Sequence, residues 1–212
     1  MKKLALFLMV AATMMATSVN AQPGGSKSNL PLANASVPAD ARYELKSGII
    51  KYEGVSQGKK AEVTQYFDDY GKKQTVVTVM EQGSEKKEVK IIQFEDTVYT
   101  IIDKMGMKIV SPEKSINYLQ LTSDVIKKNK IQELGTGTVA GRQCTRYSEK
   151  MKLMLRTNDV EVWVWKGISL KSVTKSGDKE IENQTATEVQ ENPTIDPKVF
   201  EIPADVKIRV MN

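Results

Sequence analysis

From Arg42 onward the chain is a series of short segments rich in Val, Ile, Thr and Tyr, separated by Gly, Asp, Asn and Lys. Such runs predict β-strands joined by hairpins in an antiparallel sheet. Gly71, Gly83 and Gly177 stand where reversals are expected, because glycine accepts the positive φ angles of turns. We therefore predict a mainly β fold with short helices, a β-rich α+β protein. The ten predicted strands cover residues 42–54, 61–70, 73–82, 87–95, 97–104, 107–111, 136–149, 159–166, 168–176 and 180–190.

One helix is predicted, over residues 123–130. Thr122 or Ser123 can cap its start, and Asp124 favours the positive end of the helix dipole. Lysines crowd its far end, where cations oppose the negative end of the dipole. A further helical turn is predicted over residues 112–119, because the proline at its start suits the first position of a helix.

The strands differ in which of their faces carry apolar side chains. Residues 75–80 are apolar on both faces, and residues 89–94 switch face, which indicates a bulge or cover on both sides of the sheet. A curved sheet wrapped around a helix or a cavity would fit this pattern, and so would an ordinary sandwich. In the strand at 159–166, valines fall on one face while a glutamate and two tryptophans fall on the other. The two sets are Val160, Val162 and Val164, and Glu161, Trp163 and Trp165.

The N-terminal residues have the pattern of a secretory signal peptide. Lys2 and Lys3 precede an apolar run at residues 4–12, and Val19-Asn20-Ala21 fits a small-residue cleavage site. The apolar run is too short to span a bilayer, so no transmembrane segment is predicted. We expect export to the periplasm, or secretion.

Three parts of the chain are predicted from this pattern and from local composition. Residues 1–21 form the signal peptide. Residues 22–40 are rich in proline, glycine and serine, and are expected to form a flexible leader. Residues 41–212 form a single β domain.

The composition excludes several classes of chemistry. The 212 residues contain no histidine, and Cys144 is the only cysteine. These counts rule out Ser-His-Asp and Cys-His catalytic pairs, histidine zinc sites, intramolecular disulfides and four-cysteine metal clusters. The formal charge of +5 falls to +3 when Lys2 and Lys3 leave with the signal peptide, and the remaining lysines are interleaved with acids. That surface is unlike the basic stripe of a nucleic-acid-binding protein. We predict no enzyme activity, no metal, no cofactor and no nucleic-acid partner.

Several local motifs have ordinary structural explanations. Residues 135–141 resemble a dinucleotide-binding loop, but a strand-like pattern follows instead of a helix, so we predict a glycine-rich turn entering a strand. Asp68-Asp69 fits a hairpin turn better than a metal site. Ser-x-x-Lys pairs occur without the Ser-Asp-Asn and Lys-Thr-Gly elements that serine acyl-transferases need. Cys144, in the middle of a predicted strand, is expected to be a buried and unreactive thiol.

Three stretches in the second half of the chain resemble a known family. Residues 135–144 match G-T-x-x-V-A-G-x-x-C, residues 162–172 contain W-x-x-x-G-I-x-L-K, and residues 196–204 contain D-P-x-x-F-x-I-P. In this order they resemble the LolA/LolB-like superfamily of bacterial periplasmic proteins, and residues 44–71 fit that family's opening hairpin. The resemblance implies a curved antiparallel sheet that forms an incomplete β-barrel closed by short helices.

The same resemblance suggests what such a fold could do. LolA carries the acyl chains of lipoproteins in the apolar hollow of its barrel, whereas LolB is lipid-anchored. Because no cysteine stands directly after the predicted cleavage site to accept a lipid, the chain resembles the soluble member. LolA's ligand-handling residues have no counterpart that can be placed here.

Methionine and aromatic side chains are the candidates for lining such a hollow, because methionine adapts to varied apolar partners. The alternative explanation for the same residues is core filling and sheet cover. The predicted apolar ligand-lining residues are Met105, Met107, Met151, Met154, Trp163, Trp165 and Phe94.

Two functions compete at this point. The first is a non-catalytic periplasmic protein, expected to be a monomer, that carries or senses an apolar ligand such as a lipid or a lipoprotein acyl chain. The second is a protein-interaction module, secreted or held by an envelope protein partner, whose hollow is filled by its own side chains. An apolar cavity of roughly several hundred cubic ångströms would favour carriage. A packed core and solvent-exposed tryptophans would favour the interaction role.

Overall fold

The structure is a computed structural model that describes residues 37–56, 58–82, 85–94, 97–110, 116–153 and 156–211. The predicted signal peptide and most of the predicted leader lie outside the described residues, as do residues 111–115 of the predicted helical turn. Within these ranges no helix is long and apolar enough to cross a membrane.

The described part of the chain forms twelve strands in one sheet. They are β1 (Gly48–Ser56), β2 (Lys59–Asp68), β3 (Lys73–Gln82), β4 (Glu85–Phe94), β5 (Thr97–Ile102), β6 (Met105–Val110), β7 (Gln132–Val139), β8 (Arg142–Leu153), β9 (Arg156–Trp165), β10 (Ile168–Ser176), β11 (Lys179–Glu191) and β12 (Lys207–Met211). Their order across the sheet is β12-β6-β5-β4-β3-β2-β1-β11-β10-β9-β8-β7.

This order is two antiparallel meanders joined side by side. Strands β1 to β6 form the first meander and β7 to β11 form the second, and the pairing of β1 with β11 joins them. Strand β12 adds to β6 in parallel, so the sheet is mixed. Most of the described residues lie in strands, which confirms the predicted β-rich class. The sheet is curved and does not close, as predicted for an incomplete barrel.

Several strand ends differ from the prediction by one to three residues, and three differences are larger. The predicted strand 136–149 is two strands, β7 and β8, joined by a turn in which Ala140 and Gly141 have φ angles of 47° and 71°. Two positive φ angles in succession are typical of a tight hairpin turn. The first strand begins at Gly48 instead of residue 42, because the preceding residues bond elsewhere: Glu44 N donates to the Lys166 carbonyl at 3.1 Å. Strand β12 was not predicted.

The one α-helix among the described residues, α1 (Ser123–Asn129), confirms the predicted helix. The Thr122 hydroxyl oxygen accepts a hydrogen bond from Val125 N at 3.3 Å, which satisfies one of the free N–H groups at the helix start. Lys130 ends the helix in the left-handed conformation, at a φ angle of 52°. The described end of the other predicted helical segment is a turn, in which Gln120 N donates to the Asn117 carbonyl at 3.0 Å.

Both faces of the first meander are covered, as its two-sided apolar pattern predicts. One face carries Phe67 and Val76 in the main core cluster. The other face packs on a 3-10 helix, Pro197–Phe200, whose Phe200 is 2% exposed. The Thr75 hydroxyl donates to the Val199 carbonyl at 3.2 Å, which attaches this C-terminal cover to β3.

Candidate binding surfaces

The buried face of β8 and β9 carries a compact apolar group that we call the valine cluster. Alternation along β9 places its three valines on this face, where all are buried. Cross-strand pairing brings β8 residues beside them, because directly opposite residues share a face of the sheet. The valine cluster consists of Met151, Val160, Val162 and Val164, with Tyr118 and Tyr147 packed against it.

Residues 116–131, which we call the cover segment, lie over this cluster. Ile116, Leu121 and Ile131 form its own small core, and the Tyr118 ring stacks on Tyr147 with centroids 5.6 Å apart. The Asn117 side-chain amide donates to the Ala41 carbonyl at 2.8 Å and helps to hold the segment in place. The cover is therefore one short helix with its flanking turns.

The lack of a side chain at Gly167 allows the cover segment to approach the β9–β10 turn closely. Gly167 has a φ angle of 82°, and a Cβ atom there would lie 2.8 Å from Leu119 Cγ. Any other residue would be strained in this conformation and would also press on Leu119. The glycine thus serves both the turn and the cover.

A carboxylic acid lies buried beneath the cover segment. Glu149, on β8 opposite Val160, is 3% exposed, and its Oε2 accepts a hydrogen bond from the Tyr118 hydroxyl at 3.0 Å. Burial raises the pKa of Glu149 to about 7, and the Tyr118 hydrogen bond opposes that shift. Burial and the nearby Glu149 also raise the pKa of Tyr118 well above its ordinary value. Glu149 can therefore change its charge near neutral pH.

Beside the valine cluster the same face becomes polar, in a group that we call the polar row. Ser172 lies opposite Val162 and Gln184, and Thr174 lies opposite Val160 and Glu182. All four polar side chains are 5% exposed or less. The polar row consists of Ser172, Thr174, Glu182 and Gln184.

Three atoms of the polar row are buried without a hydrogen-bond partner in the described structure: Ser172 Oγ, Thr174 Oγ1 and Gln184 Oε1. A buried polar atom left unpaired costs about 1–3 kcal/mol. Such atoms are rare in native proteins, and each one calls for an explanation. Three such atoms on the adjacent strands β10 and β11 mark a place where additional hydrogen bonds would be favourable.

At the β1–β3 part of the interior the large polar side chains hydrogen-bond to one another, although Thr78 Oγ1 is also buried there without a partner among the described residues. The Tyr52 hydroxyl donates to Gln65 Oε1 at 2.8 Å, and Gln65 Nε2 donates to Gln74 Oε1 at 3.0 Å. The Tyr43 hydroxyl donates to the same Gln74 oxygen at 3.0 Å. This network fills the interior there with protein groups.

On the opposite face of β9, two tryptophans lie between cations in a group that we call the tryptophan ladder. Arg146 on β8 and Lys171 on β10 are the cross-strand neighbours of Trp163. The Arg146 Cζ atom lies 5.0 Å from the Trp163 ring centroid, and Lys171 Nζ lies 4.6 Å from it. Trp165 has Arg142 Cζ at 5.3 Å and Lys166 Nζ at 4.7 Å. The tryptophan ladder consists of Arg142, Arg146, Trp163, Trp165, Lys166 and Lys171.

Two carboxylates hold three of these cations. Glu191 accepts from Arg142 at 2.8 Å and from Lys166 at 3.2 Å, and Glu161 accepts from Arg146 at 3.3 Å. Lys171 has no carboxylate partner in the part of the chain that the structure describes. The side chains in these ion pairs are about one third exposed, so the ladder reaches the surface.

The predicted ligand-lining residues do not come together as one surface. Met151 lies in the valine cluster, whereas Trp163 and Trp165 lie on the other face of β9, half-buried. Met107 is half-buried on β6, and Met105, also on β6, is 54% exposed. Seven strands separate β6 from β9 in the sheet.

The other two predicted lining residues lie apart from both groups. Phe94 is half-buried at the end of β4, with Lys73 Nζ 6.0 Å from its ring centroid. Met154 lies outside the described residues.

The polar row and Glu149 were missed by sequence reasoning. One signal was present, because Ile168, Leu170, Ser172 and Thr174 alternate along β10 in the same way as a buried strand face. Small hydroxyl residues also occur on solvated faces, so their burial depends on what covers the strand.

Cys144 is 1% exposed, and burial raises the pKa of its thiol, which confirms the predicted buried cysteine. Residues 135–139 belong to β7, so the glycine-rich segment is a strand that leads into the Ala140–Gly141 turn, not itself a turn entering a strand. Gly137 lies beside the tryptophan ladder, where a Cβ atom would be 2.9 Å from Trp163 Nε1. The glycine therefore makes room for the indole.

No protein-family model matches the sequence, and no curated protein is significantly similar to it. Among solved structures, an uncharacterized conserved protein from Thermus thermophilus superposes with a TM-score of 0.51 at 8% identity, over 79% of this chain and 92% of that one. The fold is LolA-like.

Two further solved structures are similar at lower scores. The MucB of the Pseudomonas aeruginosa MucA/MucB complex has a TM-score of 0.47 at 13% identity, over 78% of this chain and 58% of its own. The Mycobacterium tuberculosis lipoprotein LppX has a TM-score of 0.37 at 12% identity, over 72% and 90% of the two chains. The chain thus spans less than two thirds of the length of the MucB chain.

Proposed function

We propose that the protein is a non-catalytic binding protein, exported to the periplasm, that carries or senses an amphiphilic lipid. The observation that carries this proposal is the contact between the valine cluster and the polar row on one buried face. The valine cluster offers apolar area for an acyl chain. The polar row offers two hydroxyls and one amide oxygen that have no hydrogen-bond partner among the described residues.

The pairing of these two surfaces favours a lipid with a polar head over a purely apolar ligand. A hydrocarbon would leave Ser172, Thr174 and Gln184 unpaired, and each such atom carries a cost of about 1–3 kcal/mol. A head group with hydroxyls can donate to Gln184 Oε1 and exchange hydrogen bonds with the two side-chain hydroxyls. Entry of the chain requires the cover segment to lift from the valines. Because this segment contains one short helix, lifting it disrupts little regular structure.

Displacement of an apolar fluorescent dye by two matched lipids tests the proposal. Monoolein has two free hydroxyls on its head group, and methyl oleate has the same acyl chain without them. We expect monoolein to bind about three- to tenfold more tightly, which corresponds to one or more additional hydrogen bonds. Native mass spectrometry then checks that the lipid is retained.

The variant Thr174→Val separates this role from a purely structural one. Valine has nearly the shape of threonine but no hydroxyl, so the lipid-free protein should become slightly more stable when an unpaired group is removed. The same change should lower the preference for monoolein. Thr187→Val, at an exposed position of β11, is the matched control. If neither lipid displaces the dye, or if Thr174→Val leaves the preference intact, the proposal is wrong.

A second candidate function, a protein-interaction module, is favoured by a different observation. Trp163 and Trp165 are half-buried: they pack against the main core cluster, and the ion-paired cations around them are about one third exposed. Tryptophan and arginine are enriched where proteins bind one another. Recovery of the same envelope protein by the wild-type chain, and its loss with a Trp163→Ala variant, would support this function.

A further inference from the structure

We propose that the tryptophan ladder is a docking surface for an extended, acidic segment of a partner protein. This surface lies on the face of β9 opposite the valine cluster, so it does not depend on the proposed lipid site. Its composition, charge and spacing each point to the same kind of partner.

The ladder presents hydrogen-bond donors almost exclusively. Guanidinium, ammonium and indole N–H groups donate and have no acceptor atom. The acceptors that the structure already places there are the carboxylates of Glu161 and Glu191, each of which holds ladder cations. The protein's own glutamates therefore show which chemical group this surface accepts.

The charge of the surface is not balanced by those two glutamates. Four cations face two carboxylates, and Lys171 has no carboxylate partner among the described residues. A positive surplus of this kind raises the rate and specificity with which a negative partner binds. The tryptophan rings hold the cations in place, so less side-chain freedom is lost on binding.

The spacing of the ladder fits an extended chain better than a lipid head group. Trp163 and Trp165 are two residues apart on a strand, so their Cα atoms are about 7 Å apart, and each ring has its own pair of cations, which we call a row. An extended peptide repeats its side chains on one face at the same interval of about 7 Å. Acidic residues at alternate positions would therefore meet successive rows, whereas a single phosphate would meet one.

Intrinsic fluorescence provides a direct readout, because the chain has two tryptophans and both belong to the ladder. Protein that lacks only residues 1–21, the predicted signal peptide, would be titrated with a short synthetic peptide of alternating glutamate and threonine. We expect a saturable change in tryptophan emission, weakening at least about tenfold from 0.05 M to 0.5 M salt. A peptide of alternating lysine and threonine should produce no change.

Variants of the ladder complete the test. The double variant Arg146→Gln with Lys171→Gln should bind the acidic peptide about tenfold more weakly. Lys175→Gln, on the same strand as Lys171 but outside the ladder, should bind as the wild type does within about twofold. Thr174→Val should also leave peptide binding unchanged, which separates this surface from the lipid site.

Three results would overturn the inference: equal binding of the acidic and basic peptides, an affinity unchanged by the ladder double variant, or binding to phosphatidylglycerol vesicles with no binding to the acidic peptide. A thermal melt of each variant verifies that it is folded. Lys171→Gln alone, at a half-buried surface position, removes one cation instead of two and should weaken binding less than the double variant.

Discussion

Replacing Phe67 with alanine is expected to lower the free energy of unfolding by about 3–5 kcal/mol. Phe67 is 0% exposed and belongs to the main core cluster. Its ring meets Tyr43 edge to face with centroids 4.7 Å apart. It also fills the space left by Gly48, where a Cβ atom would lie 2.3 Å from the ring. Alanine would remove these contacts and leave a cavity between the sheet and the segment that precedes β1.

Urea denaturation followed by circular dichroism measures this loss. Tyr66→Ala is the matched control, because Tyr66 is the adjacent aromatic residue on the other face of β2 and is only half-buried. We expect the control to cost about 1 kcal/mol, in line with typical single substitutions. Equal losses for the two variants would mean that Phe67 does not anchor the core. Phe67→Leu, which keeps most of the volume, should fall between them.

Much of the fold could be predicted from local sequence. The alternation of valine and tryptophan in β9 gave the correct division of its faces, because side chains alternate strictly along a strand. The helix start was also correct and its end differed by one residue, since Thr122 supplies a cap and lysines favour the last turn. These features depend on residues close together in sequence.

The errors have two physical origins, contacts between distant residues and one uncommon local backbone conformation. Strand β12 pairs in parallel with β6, about a hundred residues earlier in the chain, and nothing in its five residues specifies that partner. The split of 136–149 into two strands depends on Ala140 adopting a positive φ angle, which is uncommon for a non-glycine residue. Met105 is exposed because β6 lies near the edge of the sheet.

The candidate surfaces could be predicted even less completely, because each is assembled from residues on several strands. The tryptophans were singled out from the sequence, but their four cations come from three separate elements, β8, β10 and the turn after β9. The polar row was missed because serine and threonine are compatible with a solvated strand. Once folded, β9 separates two chemically distinct faces, with the valine cluster beneath the cover segment on one side and the tryptophans with their cations on the other.

Replacing Glu149 with glutamine is expected to remove a pH dependence of stability and to stabilise the protein above neutral pH. The pKa of Glu149 in the folded protein is about 7, against an ordinary value of 4.5. A raised pKa means that the folded protein binds this proton more tightly than the unfolded chain. The corresponding stability is fully present below pH 4.5 and is lost as the pH rises through 7.

The size of the effect follows from the shift in pKa. Between the two pKa values the wild-type protein should lose about 3 kcal/mol relative to the glutamine variant. Glutamine is neutral at every pH, and its oxygen can still accept the Tyr118 hydrogen bond. The stability of the variant should therefore not depend on pH through this side chain. Urea denaturation of both proteins at about pH 5 and about pH 8 measures the difference directly. Glu53→Gln, at an exposed position of β1, is the control.

The same ionisation bears on access to the buried face, because Glu149 lies under the cover segment and contacts its Tyr118. A charged carboxylate gains free energy when it reaches water, so ionisation favours states in which the segment has lifted. Amide hydrogen exchange becomes faster with pH in every protein, and the glutamine variant measures that effect for residues 116–131. In the wild type, exchange in these residues should increase by more than this between about pH 6 and about pH 8. Identical exchange in the two proteins, or identical stability at both pH values, would show that Glu149 is not held in the buried state that the structure gives it.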